Sequence, residues 1–523
     1  MSGMRGFIVK IGGGMSRPSG HEGSLMEYLL GIDSGGTVTK AVLFDLAGHE
    51  VAAGSAGSQA STPQPRWVER DMDSAWTACT EAIRQAVAGV DPARIVGVGL
   101  AGHNDGMYLV DAALRPVRPA VLASDTRAES VLDGWQASGV HAAALPLIGQ
   151  QPFAASPVAV LAWLAKHEPA ALERTRWLLF CKDWLRLQLT GEIGTDPTEA
   201  SASFTSVRSA VAGRAEYDDG VLDLFDLRQV ADKRPPIHGS TEVVGAVTAA
   251  AAELTGLSAG TPVICGSHDV DAAAVGLGAV HPGALSIVAG TFSINQVVST
   301  DLHTDYRWQA RAFLQPGQLL NMSTSPASAS TLDWFVRRLV GVDSFDFVGD
   351  EVAAVLDDPS DLLFLPYLYG SPMLPHATGG FVGLQGWHTR AHLLRALMEG
   401  VVCNHRLHID ALGSAFELSP VVRATGGGMR SGVWRQLFAD GLGRTIEVPD
   451  TDEAGARGAA VLAGLGVGLY SDLDEAITNT VRIAATHEPD RRRSAAFSAT
   501  YERFTAAIAA LRPLWIETDS ATS

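Results

Sequence analysis

The sequence predicts an α/β protein made of two related domains that face one another across a cleft. Three observations predict it. At 523 residues the chain is longer than one core ordinarily serves. Short apolar strands alternate with segments of helical spacing along most of its length. One strand in each half runs into a small-residue turn that carries a hydroxyl, Gly36-Thr37 in the first and Gly290-Thr291 in the second.

The elements follow in order. Residues 28–33 read as a strand, followed by a glycine turn and a second strand over 40–45. The turn at 46–49 leads to a third strand over 51–53. A helix over 72–88 begins after Asp71, a suitable N-cap. Residues 95–100 form a buried strand that runs into Gly102. The region 130–260 is richer in helix, with helices expected over 157–166 and 178–189. A second start appears at 263–265, followed by Gly266-Ser267-His268-Asp269 and a helix rich in alanine and glycine. A strand over 285–288 precedes Gly290. The last part carries a long helix over 392–412, a strand over 421–425 ending in Gly426-Gly427-Gly428, and helices over 432–441 and 454–463. The expected division is a tail over 1–26, a first domain over 27–270, a second over 271–512 and a tail over 513–523. Met26 stands just before the first strand, so 1–26 reads as a flexible tail or a mis-chosen start.

Composition narrows the function. A net charge of −18 argues against a nucleic-acid partner, which needs basic surface. It also gives no general attraction for an anionic substrate, so any phosphate site must be built locally from backbone N–H groups, a lysine and a metal ion. The four cysteines, Cys79, Cys181, Cys265 and Cys403, form no CxxC pair and read as buried reduced thiols of a cytoplasmic protein. No stretch is apolar enough to span a membrane.

Five segments carry chemistry. In the run from Gly31 to Lys40, glycines let backbone N–H groups approach phosphate, and Thr37 and Thr39 add hydroxyls. Lys40 adds a point charge, and Asp33 could hold Mg2+ directly or through water. A tight hairpin that needs glycine would look the same, and the GK[ST] ending of a Walker A loop is missing. Gly290-Thr291-Phe292-Ser293 forms a matching turn. Gly426-Gly427-Gly428 at a strand end lets a flat ligand such as adenine-ribose lie against backbone, or lets a helix pack closely. Asp269 could cap the helix that follows, with Asp271 as the alternative cap, or project into a cleft and accept a proton from a hydroxyl. His268 and Asp271 have poor spacing for a metal and suit scaffold roles. Finally, Gly102-His103-Asn104-Asp105-Gly106 is a polar loop suited to vicinal hydroxyls, or an ordinary exposed turn. Trp67, beside Glu69, offers an aromatic face to a sugar or to interdomain packing. Asp125-Thr126-Arg127 reads as a structural ion pair.

Taken in order, these segments resemble the FGGY carbohydrate kinases, of the actin-like, ribonuclease-H-like ATPase fold. The matches run from Tyr28 to about Leu511. Besides those above they include Trp67 to Asp71, Lys182-Asp183-Trp184-Leu185, Leu189 to Glu192, Gly383-Leu384 with His392 to Glu399, and Glu453-Ala454 with Gly458-Ala459-Ala460. The resemblance implies phosphorylation of a small sugar or polyol hydroxyl by ATP with Mg2+. It implies Asp269 as general base and Asp33 near the metal. Thr37, Thr39, Lys40, Gly290 and Thr291 would line the phosphates, with Gly427 and Gly428 at the adenosine. Asn104 and Asp105, with Trp67, Glu69 and Asp269, would bind the substrate. The segments 363–370 and 383–402 and Leu122-Ala123-Ser124-Asp125 are similar to the L-xylulose (3-keto-L-gulonate) kinase branch. That branch carries lysine where this chain has Asp105, and the erythritol kinases resemble this chain there. An acidic side chain suits neutral hydroxyls, so a neutral ketopentose such as L-xylulose is expected, with a tetritol or pentitol as the alternative. Members of the family are often dimers, which makes a homodimer the assembly to test. Two other classes compete: a sugar sensor on the same fold without turnover, and an actin- or chaperone-like ATPase. The polar loop and Asp269 speak against the last.

Overall fold

The computed structural model describes residues 26–517. Apart from Met26, the expected N-terminal tail lies outside the described residues.

In the first half, β1 (Tyr28–Ser34), β2 (Val38–Asp45) and β3 (Glu50–Gly57) form an antiparallel meander. Its strands are short apolar runs joined by glycine turns, and β1 is buried along nearly its whole length. Helix α1 (Met72–Val87) follows, capped by the Asp71 carboxylate, which accepts from Ser74 N at 2.7 Å. Strand β4 (Ile95–Gly102) then returns parallel to β1. The expected helix over 178–189 starts later. Residues Trp177–Leu179 are a strand and α2 covers Cys181–Thr190, because the apolar Leu178-Leu179 pair is buried in a small second sheet. Strands β5 (Val243–Ala246), β6 (Pro262–Ile264) and the two-residue β7 (Ser267–His268) complete a seven-stranded sheet of order β3-β2-β1-β4-β6-β5, with β7 paired to the end of β4.

Helix α3 (Asp269–Leu277) leaves β7 at once. Its N-cap is His268, and no side chain caps it, so neither Asp269 nor Asp271 plays the capping role. The second half then repeats the first. Strands β8 (Leu285–Ala289), β9 (Ser293–Ser299), β10 (Gln309–Ala312) and β11 (Leu319–Ser325) are antiparallel neighbours. After the long helix α4 (Arg390–Gly413), β12 (Val421–Thr425) lies parallel to β8, and β13 (Thr445–Pro449) parallel to β12. Strand β14 (Ile483–His487) closes the order β10-β11-β9-β8-β12-β13-β14. Three antiparallel strands followed by parallel additions on the far side of the first strand thus occur in both sheets. Helix α6 (Arg491–Glu517) runs past residue 512, where a tail was expected, because Trp515 is buried against Tyr367.

The halves meet through α3 and α5 (Ala454–Gly466). Helix α5 lies between α3 and the inner strands β1 and β4 of the first sheet. Small residues let the backbones touch. A Cβ at Gly458 would lie 1.8 Å from the Ala272 carbonyl oxygen, and one at Gly31 would lie 1.8 Å from that of Ala456. No other residue fits at either position without moving a helix or a strand.

Candidate active site

The ends of parallel strands gather the chemistry, as open α/β sheets generally do. Ser34 at the end of β1 pairs with Gly102 at the end of β4, and Gly102 pairs in turn with His268 of β7. Asp33, the loop 103–105 and Asp269 therefore lie side by side although the sequence separates them widely.

Asp269 is the first residue of α3, and its side chain is 30% exposed. His268 Nε2 lies 3.1 Å from Asp269 Oδ1, and His268 Nδ1 lies 3.2 Å from Asp271 Oδ2. His268 is buried, and Thr198 Oγ1 accepts from its backbone N–H at 2.9 Å. Burial works against an imidazolium, but the carboxylates on either side outweigh it and push the His268 pKa up to about 10. Burial raises Asp269, yet the His268 charge wins and holds that carboxyl below its ordinary value. For Asp271 burial prevails, and its pKa rises to about 6 against the pull of His268 and Arg311. Asp269 is thus an ionised acceptor held from behind by a cation.

Asp33 has the opposite setting. Burial, followed by the nearby Asp269 charge, pushes its pKa up to about 7. One of its carboxylate oxygens faces Gly455 near the start of α5, where a Cβ would lie 2.3 Å away. Two carboxylates close together, one of them reluctant to ionise, form a donor set that a cation would complement. Mg2+ characteristically takes one or two protein carboxylates and fills its shell with water and phosphate oxygens. Among the described residues no group of three His, Cys, Asp or Glu could cage an ion.

The first hairpin exposes Thr37 at its tip, while Gly35 N–H closes the turn on Val38 O at 3.0 Å. Thr39 departs from expectation. It is buried, with its hydroxyl 2.9 Å from Ser34 Oγ, because the alternation of β2 turns it inward. Lys40 Nζ pairs with Glu453 Oε2 at 2.6 Å, tying this hairpin to the start of α5. Arg70, which the sequence did not single out, is buried and donates to the carbonyls of Gly35 and Gly36. In the second hairpin Thr291 is exposed, and Gly290 O accepts from Ala329 N at 3.0 Å. Gly426, at φ +103°, packs on this turn, where a Cβ would meet the Ala289 carbonyl at 2.6 Å. Gly427 faces open space, whereas Gly428 is buried against Ala289.

In the polar loop, Asn104 is buried and its Nδ2 has no partner. Asp105 adopts φ +60°, and both of its carboxylate oxygens lie 3.1 Å from Arg311 Nη2. Arg311 comes from β10 in the other half of the chain. Trp67 and Glu69 are occupied differently. Trp67 meets Trp163 edge-on at 5.2 Å with Arg127 stacked 4.1 Å over its ring. Glu69 is buried between Arg118 and Arg127. Arg127 also pairs with Asp125 at 2.8 Å, so the 125–127 segment is an ion pair, as expected. Behind the site, Lys182 is buried between Asp183 at 2.7 Å and Asp196 at 3.0 Å. All four cysteines are buried and free. No helix among the described residues is long and apolar enough to cross a membrane.

Comparison with known proteins agrees with this fold. The family models for the N-terminal and C-terminal domains of FGGY carbohydrate kinases match residues 28–276 and 285–467. The chain is 35% identical over 492 residues to the L-xylulose/3-keto-L-gulonate kinase of Escherichia coli (strain K12), spanning 93% of this chain and 98% of that protein. It is 28% identical to the erythritol kinase of Brucella abortus (strain 2308), over 94% of this chain and 97% of that one. The crystal structure of xylulose kinase from Rhodospirillum rubrum superimposes with a TM-score of 0.84 at 29% identity, covering 94% of this chain and all of that one. With its duplicated actin-like ATPase fold and its matches in both halves, the chain belongs to the FGGY family of carbohydrate kinases, which phosphorylate sugars or polyols with ATP as donor.

Proposed function

We propose that the acceptor is a small neutral sugar, a ketopentose of the L-xylulose kind, and that Asp269 is the base that takes the proton from its attacking hydroxyl. The observation that carries this reading is the juxtaposition at the strand ends. An ionised Asp269 stands beside a polar loop that offers Asn104 Nδ2 without a partner and an Asp105 whose charge Arg311 already balances. A loop without net charge favours hydroxyls and a carbonyl over a carboxylate. The Escherichia coli relative, named for L-xylulose and 3-keto-L-gulonate, supports a ketose.

The remaining roles follow from position. Backbone N–H groups of the two hairpins, with the Thr37 and Thr291 hydroxyls, would bind phosphate oxygens. Lys40 would contribute once it turns from Glu453, whereas Thr39 would hold the hairpin's shape through Ser34. Gly427 and Gly428 would leave room for the nucleoside. Asp33 would hold Mg2+, whose charge, when bound, offsets that building on the transferring phosphoryl group. Trp67 and Glu69 would shape the substrate side from their cluster with Arg127. In this reading residues 27–270 carry the sugar and 271–512 the nucleotide, and the cytoplasm, where ATP is available and thiols stay reduced, is the compartment.

The test is ADP release with Mg-ATP across neutral ketopentoses, tetritols, pentitols and keto-acids. The highest kcat/KM should fall on a ketopentose. The Brucella abortus erythritol kinase makes the polyols the informative competitors. Turnover confined to a polyol would overturn the ketopentose reading, and ATP binding without turnover on any acceptor would overturn the proposed chemistry.

A further inference from the structure

We propose that Arg311 is a specificity-determining residue, and that its pairing with Asp105 makes the acceptor pocket select an uncharged sugar end. The inference rests on the acceptor-loop reading above and adds a residue from the other half of the chain.

Arg311 is held on several sides. Its strand β10 is the edge of the second sheet, and that edge is bound to the first half of the chain. Ala310 N donates to Gly149 O at 2.9 Å, and Ala312 N to Ser201 Oγ at 3.1 Å. The side chain is 1% exposed. Its Nε donates to Gln150 Oε1 at 3.0 Å, and its Nη2 lies 3.1 Å from each oxygen of Asp105. Gln150 is itself buried and donates to Ala202 O. Only Nη1 is left, buried and without a partner.

Two buried donors at this loop lack acceptors: Nη1 of the guanidinium that pairs with Asp105, and Nδ2 of Asn104, the residue before Asp105. Buried donors are ordinarily satisfied, and in this proposal ligand oxygens complete the pair. The matching ligand end offers two acceptor oxygens and a hydroxyl proton for Asp105, which a hydroxy-ketone or vicinal diol supplies. A carboxylate there would complete the donors but would face Asp105 with no cation left over. Asp105 thus acts as a built-in counterion that occupies the place a substrate carboxylate would take.

The experiment compares wild type, Asp105→Asn, Arg311→Gln and the double variant. It measures kcat/KM by ADP release for a neutral ketopentose and for a keto-sugar acid of matching stereochemistry. Asp105→Asn frees the Arg311 cation and should move the acid-to-neutral ratio toward the acid by ~10-fold or more. Adding Arg311→Gln should cancel that shift, while the ATP KM stays within ~2-fold in every variant. An unchanged ratio in Asp105→Asn, or a gain that survives in the double variant, overturns the proposal. Melting curves report whether each variant is folded. If Asp105→Asn does not fold, Arg311→Lys, which keeps the charge but loses the fork, replaces it. It should raise the neutral-acceptor KM ~10-fold without admitting the acid, and an unchanged KM overturns the proposal. If the wild type prefers a polyol, the ketopentose reading fails separately, and the same ratio is measured with that polyol and its aldonic acid.

Discussion

Replacing His268 by glutamine removes the cation that holds Asp269 while keeping a hydrogen-bonding side chain of similar reach. His268 stands 3.1 Å from one carboxylate and 3.2 Å from another. At an effective dielectric of ~20, two unit charges ~4 Å apart interact by about 4 kcal/mol, and about 1.4 kcal/mol moves a pKa by one unit. Part of that interaction is spent offsetting burial, and losing the rest leaves Asp269 harder to ionise. The acidic limb of kcat should move to higher pH, and kcat near neutrality should fall as Asp269 is both more protonated and less well oriented. The profile is measured at saturating Mg2+, which keeps Asp33 ionised, so that a moving limb reports Asp269.

The same substitution has a stability signature with a definite sign. The pKa of His268 rises from 6.5 to about 10 in the folded chain. Its contribution is therefore complete below pH 6.5, declines above it, and is lost as pH passes about 10. Wild-type melting temperature should fall across that window, and the glutamine variant should lack that component of the decline. An acidic limb that stays in place while kcat drops equally at every pH would refute the reasoning, leaving His268 as packing alone.

Asp269→Asn should bind ATP and sugar with little change in KM and lose ~10²–10⁴-fold in kcat in the ADP-release assay. Near-normal turnover would remove Asp269 as base. The Asp33 pKa of about 7 predicts that Mg2+ displaces a proton, so calorimetric titration of Mg2+ near pH 7 in buffers of different ionisation enthalpy should show proton release. Asp33→Asn should abolish it. Gly458→Ala places a methyl group where only 1.8 Å is available, so it should lower stability by about 1–3 kcal/mol in denaturant unfolding and reduce kcat by displacing α3. Removing residues 1–26 should leave activity unchanged, and a folded but inactive truncation would show that the segment has a function.

Local signals explain what the sequence made legible. Glycine turns between apolar runs located the meander, Asp71 announced α1, and the triple glycine marked the end of β12. Each is set by neighbouring residues. The misplacement of Leu178 and Leu179 has a local cause as well, since a short apolar run fits a buried strand or a helix start equally well. Alternation along β2 already contained the inward direction of Thr39, beside the outward-reaching Lys40. Other features had no local signal. Arg311 meets Asp105 across 206 positions, and Lys40 meets Glu453 across 413. Glu453 stood in a motif, but nothing around it or around Arg311 named the partner. Charge pairs of that kind are set by topology, which a single chain reveals only after folding.

The division between fixed and variable parts of the site follows from how the halves meet. Helix α5 touches β1 and α3 through backbone at Gly31 and Gly458, so the relation of Asp33 to Asp269 depends on main-chain contact and not on side-chain rotamers. A substitution there disturbs both domains at once. The proposed acceptor side is built differently. Asn104 and Asp105 lie on a loop, and Arg311 lies on an edge strand, each joined to the scaffold by side-chain contacts that can be exchanged one at a time. Phosphoryl transfer demands constant spacing between base and phosphate-binding hairpins, while acceptor choice demands only a local match of charge and hydrogen bonds. On the proposed assignment, the constant chemistry rests on the glycine-packed joint and selectivity rests on Asp105 and Arg311.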